Sequence, residues 1–317
     1  MGIVRLIKDW TLPAAMLAGT IVYLVFAFTP ALDAAATALG PVCDAILPLF
    51  MFLILFVTFC KVDFRRLVPV TWHLWTGVVQ VVFVAAIVAI VLAFQLEGRA
   101  LILAEAILTC IIGPCAAAAP VVTAKIGGDL EQMTTYTFLS NFITALLIPI
   151  CFPMIDKAAD TTFLAAFLII LRQVCIVLVL PMLLAFIVKH WMKRLHRRIV
   201  TIKDLSYYLW GCSLMVVTGT TVKNIVHADT SAAFLVAIAS LGAILCVVQF
   251  AVGRFIGHYF HATMESGQAL GQKNTAFAIW IAYTYLNPLS SVGPGCYILW
   301  QNIINSVEIW HYQKHHR

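Results

Sequence analysis

A lysine stands inside an apolar stretch at Gly271-Gln272-Lys273-Asn274, and another apolar stretch is interrupted by Gly113-Pro114-Cys115-Ala116-Ala117-Ala118-Ala119-Pro120. An ammonium within a membrane span costs several kcal/mol unless it is paired, neutral or hydrated, so Lys273 is a candidate functional residue. Gly-Pro with a second proline one and a half turns later is hard to carry as continuous helix. A broken helix frees N–H and C=O groups, which hydrocarbon tolerates only when protein, water or a ligand satisfies them. Half-helix N-termini favour anions and half-helix C-termini favour cations. Two crossing breaks would therefore build an ion and small-molecule site from Pro114, Ala119, Pro120, Gly271, Gln272, Lys273 and Asn274.

Each break is followed by a span with a polar face. Thr134, Thr137, Asn141 and Thr144 recur at helical spacing with Ser140 alongside, and Gln301, Asn302, Asn305 and Glu308 do the same. Taken singly such residues glue helices together by hydrogen bonds. Behind a broken span they read as the lining of a central cavity. Asp129 and Gln132 have the spacing of a helix N-cap box, and Arg172 is placed to salt-bridge Asp156 or Asp160. Neither HExxH, GxSxG, CxxC nor paired intramembrane aspartates occur, so no enzyme, metal centre or cofactor is expected. The nine cysteines lie almost wholly in apolar spans and read as small packing residues.

The elements that must position these residues follow from composition. With 62% hydrophobic and 11% charged residues and a mean hydropathy of +0.98, the chain is an all-α polytopic membrane protein. At about 20 residues per crossing, ten spans are expected at 12–31, 41–60, 68–94, 101–124, 130–155, 162–188, 205–225, 232–257, 266–286 and 290–311. The breaks fall in the fourth and ninth, the same place in a first repeat (1–158) and a second (159–317). Discontinuous spans so matched mark inverted five-helix repeats and a transporter.

Arg5, Lys8, Lys61, Arg65, Arg66, Lys125, the run Lys189 to Lys203, Arg254, Lys314 and Arg317 share one side if every span crosses; Arg99, Lys157 and Lys223 fall opposite. Both termini are then cytoplasmic. The net +6 is explained by topology, and a nucleic-acid partner gains nothing from it, although Lys193, Arg194, Arg197 and Arg198 could touch anionic lipid. The first span exceeds a usual signal-peptide core. Trp72, Trp75, Tyr207, Tyr208 and Trp310 fit interfacial belts.

With these residues in place the sequence resembles the bile acid:sodium symporter family, solute carrier 10-like, over nearly its whole length. The resemblance is carried by Met51-Phe52 through Asp63-Phe64, Gly77-Val78-Val79-Gln80, and Gly113-Pro114 through Gly128-Asp129. Gly271-Gln272-Lys273-Asn274 with Ala278 and Ala282, and Pro294 followed by Trp300-Gln301-Asn302, complete it. It implies a panel domain (spans 1, 2, 6, 7), a core domain (spans 3–5, 8–10), and alternating access carrying organic anions such as bile acids together with sodium. A divergent bacterial member in the inner membrane is expected.

The chain departs from the family at the cation ligands. Ala119-Pro120 stands where the family offers Ser-Asn, and Ala269 and Lys273 stand where it offers Glu and Gln. A second alignment places Glu265-Ser266-Gly267-Gln268 on the family's Glu-x-Gly, with an insertion before Lys273. Gln80, Ser140, Asn141, Thr144 and Asn274 are retained as possible ligands. Sodium wants oxygen ligands and an ammonium beside it would repel it, so Lys273 is expected to take the coupling cation's place or to load and release a proton. Sodium coupling is then weak or absent. A proton-coupled or uniporting carrier of small carboxylates is the alternative, and a non-transporting receptor or scaffold the alternative of another class. Substrate identity, direction and oligomeric state are open.

Overall fold

A computed structural model describes residues 11–155, 162–202, 205–228 and 230–315. Arg5, Lys8, Asp156, Lys157, Asp160, Lys203 and Arg317 lie outside the described residues, as does the side chain of Tyr207. The described chain is helical, its one β feature an isolated bridge between Cys115 and Lys273.

Helix occupies each of the ten apolar segments. The first half holds α1 (Thr11–Phe28), α2 (Asp33–Cys60), α3 (Thr71–Ala93), α4 (Gly98–Ile112), α5 (Ala119–Lys125) and α6 (Leu130–Ile155). The second begins with α7 (Phe163–Val174), which passes through one π turn (Cys175–Val179) into α8 (Leu180–Trp191). A short α9 (Lys193–Thr201) precedes α10 (Leu205–Val226), α11 (Ala232–Tyr259), α12 (Thr263–Gly271), α13 (Thr275–Tyr285) and α14 (Val292–His315).

Five helical stretches are long and apolar enough to cross a membrane: Pro30–Cys60, Thr71–Ala93, Leu130–Ile155, Phe163–Trp191 and Ala232–Tyr259. The broken segments fall short because neither half-helix reaches the length a bilayer demands. Leu, Ile, Val and Phe side chains cover much of the outer surface, Leu17, Leu74, Leu146, Leu164, Val236 and Phe255 among them. In water such a surface would aggregate; in lipid it is solvated.

Two packing groups stand out. α1 lies on α10, α10 on α2, and α2 on α8, while α11 runs along α12 and α14, and α3 packs on α4 and α6. The seam between α11 and α12 is set by glycines four residues apart. A Cβ at Gly253 would sit 2.3 Å from the Ser266 carbonyl oxygen, and one at Gly257 2.3 Å from that of Ala262. Small residues at this spacing let membrane helices approach to backbone contact.

The cap at Asp129 forms as its spacing predicts: its Oδ1 accepts from the N–H groups of Glu131 (2.8 Å) and Gln132 (3.0 Å), and Oδ2 accepts from Gln132 Nε2 (3.1 Å). Trp75, Tyr208 and Trp310 are exposed, as belt residues should be, but Trp72 is buried at 2% exposure. Its indole N–H donates to Gln132 Oε1 at 2.7 Å beside His73 and Tyr136. A partner for the N–H drew the ring inward, and the belt reading of Trp72 is corrected.

Alanine is the better helix former by about 1 kcal/mol, yet Gly253→Ala and Gly257→Ala are each expected to destabilise the protein by about 1–3 kcal/mol through overpacking. Thermal unfolding of the detergent-purified variants checks this. A melting temperature that holds or rises would show that the seam has room.

Candidate functional site

The first break opens where α4 ends. Gly113 turns to an extended conformation (φ −55°, ψ 146°), and helix resumes only at Ala119. The freed carbonyls of α4 meet donors from neighbouring helices. Gln80 of α3 sends Nε2 to the carbonyl oxygens of Ile111, Ile112 and Gly113 at 3.2, 3.3 and 3.1 Å. Three acceptors around one end of the amide identify that end as the nitrogen. Thr144 Oγ1 also donates to Ile112 O (3.0 Å), and Ser140 Oγ accepts from the Cys115 N–H (2.9 Å).

The second break is treated in the same way. α12 stops at Gly271, where a Cβ would lie 2.3 Å from the Phe250 ring. The Gly271 carbonyl accepts from the Tyr297 hydroxyl at 2.6 Å. Gln301 of α14 brackets Lys273, accepting from its N–H at 3.0 Å and donating to its carbonyl at 3.3 Å. Asn274 caps α13, its Oδ1 accepting from the Phe277 N–H at 3.2 Å.

The breaks then cross and pair with each other. Ala116 N–H donates to Gln272 O at 2.9 Å and Asn274 N–H donates to Pro114 O at 2.8 Å, an antiparallel bridge centred on Cys115 and Lys273. The two central residues send their own N–H groups outward, Cys115 to Ser140 on α6 and Lys273 to Gln301 on α14. The span that follows each broken span thus supplies the same service to it.

Lys273 is 1% exposed, and its ammonium nitrogen has no hydrogen-bond partner among the described residues. The titratable side chains around it are the thiols of Cys115 and Cys110. Ala119 and Ala269 are both fully buried and belong to one apolar cluster with Trp72, Cys115, Ala116, Met133 and Tyr136. The side chains of these two alanines are methyl groups, which offer no oxygen to a hard cation. Glu265, the carboxylate of the second alignment, is in the first turn of α12 and accepts from the Asp129 N–H at 2.6 Å. It serves the entry to α6 rather than the crossing.

A cavity of ≈ 1950 Å³ has the crossing as its floor. Pro120, Thr137, Gln272, Lys273, Asn274, Gln301, Asn302 and Asn305 line it. Pro114, Ala119 and Gly271 do not, and neither do Gln80, Ser140, Asn141 and Thr144. Gln80, Ser140 and Thr144 are spent on break backbone; Asn141 Nδ2 donates within its own helix, to Thr137 O at 2.6 Å. The mouth carries Lys61, Asp63, Arg66, Lys125 and Glu131. Arg66 pairs with Glu131 across it at 2.5 Å, and Lys189 stands 3.6 Å from Asp63. The Arg65 backbone N–H, then Lys189 and Arg66, hold the Asp63 carboxyl below its ordinary range, so it stays ionised at the mouth.

Several contributors escaped the sequence reading. Gln249 of α11 donates to Cys110 O and to the Tyr297 hydroxyl, both at 3.1 Å. Its signal was present: an amide in an apolar span of the second half, as Gln80 is in the first. Gln268 donates to Asn305 Oδ1 (3.0 Å) and Glu308 Oε2 (2.7 Å), and Glu308 also pairs with Arg254. Glu308, on the face expected to line the cavity, does not line it and is instead an internal partner tying α11, α12 and α14 together.

Interrupted helices crossing beneath a cavity whose walls mix polar groups with a larger share of apolar side chains such as Met51, Phe59 and Ile303, in a helical body with an apolar outer surface, define a membrane protein of the transporter class. The chain belongs to the Sodium Bile acid symporter family, whose sequence model matches residues 48–228. No curated protein matches the chain. The matched stretch takes in α3 to α10 and the first break but ends before Lys273.

Gln80→Leu is expected to lower stability by about 1–3 kcal/mol by stripping buried carbonyls of their donor. Gln80→Glu should do no better, because a carboxylate has no N–H to give. Should Gln80→Glu keep the wild-type melting temperature, the side chain is acting through its oxygen and not its amide.

Proposed function

We propose that the protein is a secondary carrier that moves organic anions across a membrane by alternating access, in ten passes arranged as two inverted five-helix repeats. The observation that carries this reading is the pair of mutually bonded breaks at the floor of a cavity open on one face. The matching roles of Ser140 and Gln301, each on the helix after a break, support the repeat. The packing of α1 on α10, α10 on α2 and α2 on α8 supports a panel against a core of α3–α6 and α11–α14, with α7, which packs on α6, counted in the panel as the first part of the α7–α8 span. The mouth lies on the Lys- and Arg-rich face, so with both termini cytoplasmic the cavity faces inward.

In this reading Lys273 takes the place of a coupling cation. Its buried, unpartnered ammonium and the methyl groups of Ala119 and Ala269 favour a site with a fixed positive charge and no room for sodium ligation. The substrate is an anion, bile-acid-like or a smaller carboxylate, received among Asn302, Asn305, Thr137 and the start of α13. The same amine, able to exchange a proton, makes proton coupling the second form of this carrier.

Uptake of labelled taurocholate and a panel of small organic anions into proteoliposomes, with sodium, with potassium only, and with an imposed pH gradient, tests the reading. Saturable uptake with counterflow, unchanged when potassium replaces sodium, is the expected result. Lys273→Gln should lower flux about tenfold, equivalent to ~1.4 kcal/mol, or alter its ion dependence. Uptake that requires sodium would overturn the role given to Lys273. Lack of saturable flux for every anion tried would favour a non-transporting protein.

A further inference from the structure

The short helix α9 is unlike every other helix of the protein. Lys193, Arg194, Arg197 and Arg198 are all exposed, and at 100° per residue they fill one arc of about 140° on the helix. Ile199, on the opposite side, packs against the main apolar core. His196 Nε2 is 2.7 Å from the Cys60 carbonyl oxygen, and Lys61 Nζ donates to Ile202 O at 3.4 Å. α9 is thus clamped to the end of α2 with its cationic face turned outward. Among the described residues no carboxylate pairs with any of the four cations.

The depth of this face is also marked. α9 follows α8, an apolar helix of the membrane body, with only Met192 between them. Trp191, the last residue of α8, is 72% exposed and Met192 48%. An exposed tryptophan ending an apolar helix belongs at headgroup level. α9 therefore starts where phosphate groups are, on the same face as the cavity mouth, whose residues Lys61 and Asp63 directly follow Cys60.

We propose that the cationic face of α9 is a docking site for the headgroups of anionic phospholipids in the leaflet at the cavity mouth. Each lysine or arginine near such a surface contributes roughly a fivefold gain in binding, so four make a site that discriminates charged from zwitterionic lipid. Apolar flanks on the same short element favour lipid over a soluble polyanion. His196 joins α9 to Cys60 and Lys61 donates to Ile202, so the element that carries the cationic face is fastened to the chain that leads into the mouth.

Native mass spectrometry of the detergent-purified full chain, titrated with phosphatidylglycerol or phosphatidylcholine, provides the test. Preferential retention of phosphatidylglycerol is expected. The Lys193→Gln, Arg194→Gln, Arg197→Gln and Arg198→Gln substitutions combined should remove the preference, each charge lost weakening retention about fivefold. All four side chains are exposed, so the variant should keep its melting temperature; if it does not, Arg194→Gln with Arg198→Gln alone should show the intermediate loss. Equal retention of both lipids, or a preference that survives in the variants, overturns the proposal. So does a variant-sensitive affinity for heparin in a protein indifferent to phosphatidylglycerol, which would make α9 an arm for soluble polyanions.

Discussion

Two stretches of unwound backbone inside a membrane body can persist only because each is the other's hydrogen-bond partner. Pro114 O, Ala116 N–H, Gln272 O and Asn274 N–H would otherwise be left to hydrocarbon, at several kcal/mol apiece. Their pairing fixes where α4, α5, α12 and α13 meet, and Gln80, Ser140, Thr144, Tyr297 and Gln301 attend to the carbonyls and N–H groups that the bridge leaves over. The cavity's floor and the placement of Lys273 both follow from that one junction.

Much of this was legible in the sequence because it is written in local chemistry. Gly113-Pro114 and Pro120 cannot continue a helix, Asp129 and Gln132 have cap spacing, and apolar runs delimit most helices within a few residues, although α2 begins at Asp33, ahead of the expected start at 41. What could not be read was the direction in which polar side chains spend their hydrogen bonds. Ser140 and Thr144 share a helical face with the cavity-lining Thr137 yet, like Gln80, serve backbone, since the carbonyls and the N–H freed by the first break compete successfully for them. Trp72 was misplaced for the same reason: a tryptophan at a helix start suits the interface until a glutamine elsewhere offers its N–H a partly buried acceptor. Tyr297 carries its role in a contact more than twenty residues distant along the chain.

The electrostatics of the junction are lopsided. Glu131, Asp63 and Glu265 all stand at the mouth or at helix entries, where water and arginine or lysine can neutralise them. The interior keeps a lysine and gives it thiols and main chain for company. Of the carboxylates within the helices, Glu308 near the end of α14 is occupied by Arg254 and Gln268, and the buried Glu105 accepts from the Asn287 N–H. A positive centre without an anion of its own is an unsolved charge until something negative arrives or a proton leaves.

The bridge at Cys115 and Lys273 is made by main-chain atoms alone, so it is indifferent to which side chains flank it. Residues 119, 269 and 273 can exchange oxygen, methyl or ammonium groups while the four half-helices stay joined. Whatever chemistry those side chains carry is in this sense a removable fitting on a permanent joint, and a lineage can change it without having to refold the protein.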